Sequence, residues 1–250
     1  MPSRVRTYIE GFDDIIEGGL PGGEVIIVTG PAGSMKSSLT YYIIHRNALE
    51  SGIKSLYVCL EEEKGMFLRN MGSLGMDTTA TQKDIVIYDA GDRSFLEERG
   101  EQMEAVGWVD SKVAEPRFIR GLKYAVRKAR EGAGIDLLVI DSLDTLIMLA
   151  DLKDPREDIF RLFEWLREQS LTTIAIAETP AVHPALMRGE GQSEDFLADG
   201  IVQLRMDKIN ELTFRRYIRC VKMRATEHSM DYYILAYDNS RRMFEISKAL

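Results

Sequence analysis

The run Gly30-Pro31-Ala32-Gly33-Ser34-Met35-Lys36-Ser37-Ser38 has the residue types that hold phosphate. Backbone N–H groups of such a loop wrap phosphate oxygens, the lysine adds a point charge, and the hydroxyl after it reaches a bound Mg2+. Gly30, Lys36 and Ser37 stand in the register of the G-x-x-x-x-G-K-[ST] pattern, with Met35 at its second glycine. A Cβ there either takes a tolerated backbone conformation or pushes its side chain toward the phosphates. Without that glycine the bare pattern arises by chance on the order of 0.1 times in such a chain, so the context must carry the reading. Three carboxylate groups supply it. Asp141 ends the run LLVID and suits the acid that holds Mg2+ beside the Ser37 hydroxyl. Glu61 and Glu62 end YVCLEE, where a carboxylate can orient and activate the water that attacks a γ-phosphate. Glu178 ends TTIAIAE, placed to sense the phosphate or position that water. Each acid also has a plain structural reading: a strand-end Asp is commonly a helix N-cap, and residues 61–63 fit a solvated first helical turn.

These side chains need a scaffold that brings strand ends together. Apolar, β-branched runs predict strands over 23–30, 54–61, 84–90, 135–142 and 172–178. Between them, helices are predicted over 37–50, 62–71, 116–131 and 155–169, the last with Asp154 as N-cap and Pro155 in the first turn. Strands apolar on both faces that alternate with helices make a mostly parallel central sheet flanked by helices, an α/β fold. Ligands of such sheets lie beyond the carboxyl ends of the strands. The last fifty residues hold β-like runs with short breaks and no helix, which predicts a C-terminal antiparallel β meander. With no repeat and no flexible linker, residues 1–250 read as a single domain. The irregular stretches 91–115 and 179–195 have the length of functional or mobile loops.

Composition excludes other classes. The chain has 250 residues, 45% of them apolar and 29% charged, and a net charge of −8. That balance argues against whole-protein attraction to DNA or an anionic membrane. Cys59 and Cys220 sit in apolar runs without a spacing pattern and read as buried free thiols of a reducing cytosol. No apolar leader and no run of about 18 apolar residues is present, so a cytoplasmic protein with no membrane insertion is expected. His45, His183 and His228 do not cluster with cysteine, so no structural zinc is expected, and His45 reads as a helix-surface residue. The basic helix Arg117–Arg130 places Arg120, Lys123 and Arg127 on one face, a solvated helix back more readily than a nucleic-acid patch.

Taken together the motifs resemble a family. The opening RVRTYIEGFDDIIEGGLPGGEVIIVTGPAGSMKSS, the acids of YVCLEE, the strand LLVIDSL, the segment FLADGIVQLR and the segment KMRATEH are similar to those of single-domain KaiC-like ATPases of the RecA/RadA superfamily, over essentially the whole chain. The resemblance implies a RecA-like P-loop NTPase fold, ATP and Mg2+ as cofactors, and a homo-oligomeric ring, commonly a hexamer, with ATP at each subunit interface. It implies that Glu61 and Glu62 act on the water and that Asp141 supports Mg2+. It further implies that Lys222 and Arg224 contact phosphates of a neighbouring copy, with Thr226 and His228 helping to bind nucleotide; the plain reading of that strand is a solvated edge hairpin. Ala225, like Met35, stands where the family has glycine. Slow ATP hydrolysis driving a regulatory or mechanical output is the leading expectation. A nucleotide switch with negligible turnover and a DNA recombinase or repair paralogue are the alternatives. The 179–195 loop offers Arg188 and His183 against Glu190, Glu194 and Asp195, which weighs against the recombinase. The protein client is not written in the sequence.

Overall fold

A computed structural model of the chain describes residues 4–89, 115–178 and 197–248; the stretches 91–115 and 179–195 therefore fall, but for Glu115, outside the described residues. Nine strands form one mixed sheet. They are β3 (Val25–Gly30), β4 (Ser55–Cys59), β5 (Ile85–Asp89), β6 (Leu137–Asp141), β7 (Thr172–Glu178), β8 (Gly200–Asn210), β9 (Thr213–Met223), β10 (Tyr233–Asp238) and β11 (Met243–Lys248). Their order across the sheet is β11-β10-β9-β8-β3-β7-β6-β4-β5. The pairs from β8 through β3, β7, β6 and β4 to β5 are parallel, and β8-β9, β9-β10 and β10-β11 are antiparallel. The C-terminal meander β8-β9-β10-β11 is antiparallel throughout, as its sequence suggests, and its first strand β8 joins it to the parallel sheet by pairing with β3.

Alternation along β3 assigns its residues to two cores. Ile26 and Val28 face α1 (Lys36–Ser51), α2 (Lys64–Ser73) and the inner faces of β9 to β11. Val25 and Ile27 face α3 (Arg117–Ala133), α4 (Leu143–Leu149) and α5 (Pro155–Glu168). Burial on both faces explains the near-continuous apolar strands. Both cysteines are buried free thiols, and burial pushes each up to about 12.

The helix α3 differs from its sequence reading. Arg120 is buried, and Lys123 and Arg127 each lie 5.4 Å from the Trp165 ring of α5. Its cations thus serve packing between helices more than a solvated back. His45 is buried too, with its Nε2 3.1 Å from the Asp77 carbonyl; burial lowers its proton affinity. The helix periodicity of α1 hid this because the helix is covered on nearly every side.

The amino-terminal segment makes a small antiparallel ribbon of β1 (Arg4–Val5) and β2 (Leu20–Pro21). Buried Asp13 closes it, accepting bonds from Thr7 N at 2.8 Å and Thr7 Oγ1 at 2.7 Å. Arg4 bonds to the Ile16 and Gly19 carbonyls and to Thr226 Oγ1, so this ribbon is tied to the segment after β9. Among the described residues no helix is long and apolar enough to cross a membrane.

Candidate functional site

Four adjacent strands deliver the predicted acids and the loop to one edge. In register, Gly30 of β3 faces Glu178 of β7, and Cys59 of β4 faces Asp141 of β6. Glu61 and Glu62 follow β4 by two and three residues, since the strand ends at Cys59 and α2 starts only at Lys64. The loop between β3 and α1 crosses the same carboxyl edge. No side chain caps α1, and its first turn holds no acid. The starts of α2 and α3 are likewise without a side-chain cap, whereas Ser142 caps α4 and Asp154 caps α5. The first N–H groups of α1 are thus left for an anion, where the helix dipole adds a partial positive charge.

Two backbone demands shape the loop. A Cβ on Gly30 would lie 2.8 Å from Leu204 Cβ and 2.9 Å from the Leu204 carbonyl oxygen, so only glycine fits against β8. Met35 has φ +73° and ψ +28°, the left-handed conformation that glycine adopts freely. Its side chain is half-buried and packs against the core under α1 instead of turning into the loop. Of the two outcomes open to this Cβ, the chain takes the strained backbone. Ala225, the other departure from the family pattern, also sits at positive φ, +50°. Both non-glycine residues hold left-handed conformations.

Lys36 is buried, and its Nζ donates to the carbonyls of Gly30 at 2.9 Å and Pro31 at 3.1 Å, with Glu178 Oε1 4.0 Å away. Ser34 is buried with its hydroxyl against Gly30. Arg216 of β9 reaches over and donates from Nε to the Gly33 carbonyl at 3.2 Å. The two acids nearest the loop are held differently. Asp141 is 3% exposed; its Oδ2 accepts from the Tyr57 hydroxyl at 2.6 Å, while its Oδ1 is buried without a hydrogen-bond partner. Burial pushes the Asp141 carboxyl up to about 6, with the Tyr57 and Ser37 hydroxyls pulling the other way. Glu61 is exposed, and its Oε1 accepts from Ser142 Oγ at 2.5 Å and Thr145 Oγ1 at 3.3 Å. Glu62 accepts from Asn70 Nδ2 at 3.0 Å, and the Glu178 amide donates to Asp144 Oδ2 at 2.8 Å.

The donor set suits a divalent cation. A buried carboxylate oxygen with no donor, beside a serine hydroxyl, carries a desolvation cost that a cation removes. The helix-cap reading of Asp141 does not hold, since Ser142 is the cap.

The segment Lys222–His228 lies elsewhere. Met223 pairs with Gly200, which pairs with Ile26, so Lys222 and Arg224 stand at the amino end of the sheet. Four residue steps along β3, about 13 Å, separate that level from Gly30. Lys222 Nζ donates to the Ala198 carbonyl at 2.9 Å and Arg224 Nη1 to Asp199 Oδ1 at 2.7 Å. Thr226 Oγ1 donates to the Arg224 carbonyl, and His228 Nδ1 lies 3.0 Å from the Thr226 carbonyl. None of these four reaches the loop of its own chain.

Sequence reasoning missed Tyr57, Ser142, Thr145, Arg216 and Asp199. Tyr57 gives no signal, because an aromatic in an apolar strand reads as core. Ser142 and Thr145 were legible, as the cap and its third residue directly behind Asp141.

A sequence model of the family described as "ATPase: KaiC" matches residues 5–244. The chain is 29% identical to the circadian clock protein KaiC2 of Synechocystis over 91% of its length, and 29% identical to a UPF0273 protein of Thermotoga maritima over 92%. It covers 90% of the Thermotoga protein but 37% of KaiC2, so it spans about two fifths of the clock relatives it matches. The crystal structure of a KaiC-like protein from Pyrococcus horikoshii OT3 superposes with a TM-score of 0.74 at 26% identity, covering 98% of both chains.

Two outcomes check this geometry. Met35→Gly and Met35→Ala both lose the thioether packing, but only glycine relieves the positive φ. Urea denaturation should find Met35→Gly more stable by about 1 kcal/mol; equal stabilities would remove the strain. For Asp141 the folded carboxyl has the higher proton affinity, so its burial costs nothing below the ordinary aspartate value of 3.8 and is felt in full above about 6. Without nucleotide or metal, Asp141→Asn should therefore be more stable than wild type by about 1–3 kcal/mol at pH 8, the gap closing toward pH 4. A gap that is flat with pH would contradict the buried charge.

Proposed function

Since the chain belongs to the KaiC family of ATPases, whose membership implies ATP binding, we propose that it binds Mg2+ and ATP on Gly30–Ser38 and hydrolyses ATP slowly at the interfaces of a ring made from its own copies. Residues 1–250 act as one such unit in this reading, working in the cytoplasm. The observation that carries it is the division of the predicted site between opposite edges of one sheet: loop and acids at the carboxyl edge, Lys222 and Arg224 at the amino edge. Identical copies joined edge to edge, head to tail, complete the site at every contact, and a rotation that closes makes a ring; the family precedent favours six.

Each side chain has a task. The backbone N–H groups of the loop and the start of α1 bind the β- and γ-phosphates, and Lys36 exchanges its two carbonyl partners for phosphate oxygens. Ser37 and Asp141 hold Mg2+, which when bound neutralises charge on the phosphates. Glu61, fixed by Ser142 and Thr145, orients the attacking water and draws its proton, with Glu62 beside it and Glu178 on the far side of Lys36. Lys222 and Arg224 from the adjacent copy neutralise charge that develops on the γ-phosphate, and Thr226 and His228 hold the nucleotide. Packing of Lys123 and Arg127 on Trp165 supports this over the recombinase alternative, because those cations are taken up within the chain.

Turnover of Glu61→Gln with Glu62→Gln should fall by about 10²–10⁴-fold, with nucleotide still bound by calorimetric titration. Unchanged turnover would leave the nucleotide-switch reading in its place.

A further inference from the structure

The strand β9 does not present its two terminal cations alone. The turn Leu197–Asp199, just before β8, holds both. Its Ala198 carbonyl accepts from Lys222 Nζ at 2.9 Å, and its Asp199 carbonyl accepts from the Arg224 amide at 2.9 Å. The Asp199 side chain is 3% exposed and collects donors from three elements. Oδ1 accepts from Arg224 Nη1 at 2.7 Å; Oδ2 accepts from Arg167 Nε at 2.8 Å and from Val25 N at 3.1 Å. Arg167, at the end of α5, also donates from Nη2 to the Leu197 carbonyl at 2.6 Å.

Two features make this more than a buried cap. Arg224 stays 58% exposed although it is paired, and it spends Nη1 on Asp199. The other edge of a planar guanidinium then remains for an anion, which it meets best as a two-pronged fork. Second, Asp199 is also bonded by Arg167, so Arg224 is one of two guanidiniums on that carboxylate. Burial and the bond to Asp199 raise the proton affinity of adjacent Glu24, whereas the donors from Arg167 and Val25 outweigh burial and lower that of Asp199.

We propose that Asp199, braced by Arg167, is a positioning residue that fixes the Arg224 guanidinium, and with it Lys222, for contact with the nucleotide of an adjacent copy. The inference rests on the ring reading above and adds the residues that aim its trans cations. It also ties them to β3: the strand whose amino end is bonded to Asp199 ends in the phosphate loop.

The test uses the assembled protein. Asp199→Asn, Arg167→Gln and Arg224→Ala are made singly, and the first two are each combined with Arg224→Ala. Steady-state kcat and KM for ATP with Mg2+ are measured beside the thermal midpoint. Arg224→Ala should lower kcat by about 10³-fold, the effect of removing a trans arginine. Asp199→Asn should lower it by about 10–10²-fold, the scale of a misplaced catalytic group, with KM within about threefold of wild type. On the Arg224→Ala background, Asp199→Asn and Arg167→Gln should change kcat by less than about twofold, because the group they aim is gone. Should Asp199→Asn not fold, Arg167→Gln carries the test with the same pattern at smaller amplitude. A folded variant with wild-type kcat overturns the proposal. So does an equal loss with and without Arg224, which would mean a structural role only. Retention of full turnover by Arg224→Ala is the separate result that sinks the ring reading, and the proposal with it.

Discussion

A buried carboxylate with one oxygen unmatched by any donor organises the carboxyl edge of this sheet. Asp141 lies at the end of a strand covered on both faces, and Tyr57 satisfies Oδ2 but nothing satisfies Oδ1. A buried carboxyl is favoured in its ionised form only where a cation or hydrogen bonds compensate it, and in the proposed function that cation is Mg2+. The neighbours are arranged for that cation and its anionic partner. Ser37 opens α1 beside it, Lys36 lies folded onto loop carbonyls, and the uncapped helix end offers its N–H groups. The exposed acid Glu61 is tied to the residue after Asp141, so the proposed base and the proposed metal ligand share one anchor.

Two residues other than glycine hold left-handed conformations in the segments proposed to meet nucleotide. Met35 and Ala225 both replace glycine, and both hold a positive φ. Packing of Met35 on the core under α1 offsets part of its strain.

The strand and helix pattern was legible because parallel strands buried on both faces read as apolar runs, and the acids that end them declare the functional edge. Asp141, Glu61, Glu62 and Glu178 all arrive there as their strand-end positions imply. What stayed hidden depends on pairing across the sheet. The parallel placement of β8 beside β3 leaves no local mark, because an edge-to-centre register is set by contacts far apart in sequence. His45 and Arg120 were misread as surface residues because helical periodicity does not say how many sides of a helix are covered. Asp199, within the segment FLADGIVQLR, takes its meaning from Arg167, Val25 and Arg224, which three distant segments contribute.

In the proposed function one sheet carries two half-sites on opposite edges. That separation is tested most directly by mixing two inactive variants, Lys36→Ala, which loses the phosphate loop, and Arg224→Ala, which loses the trans cation. Assembled together, they form contacts in which an intact loop meets an intact arginine. Phosphate release from the mixture should rise well above the sum of the two alone. A mixture no more active than that sum would contradict the shared site.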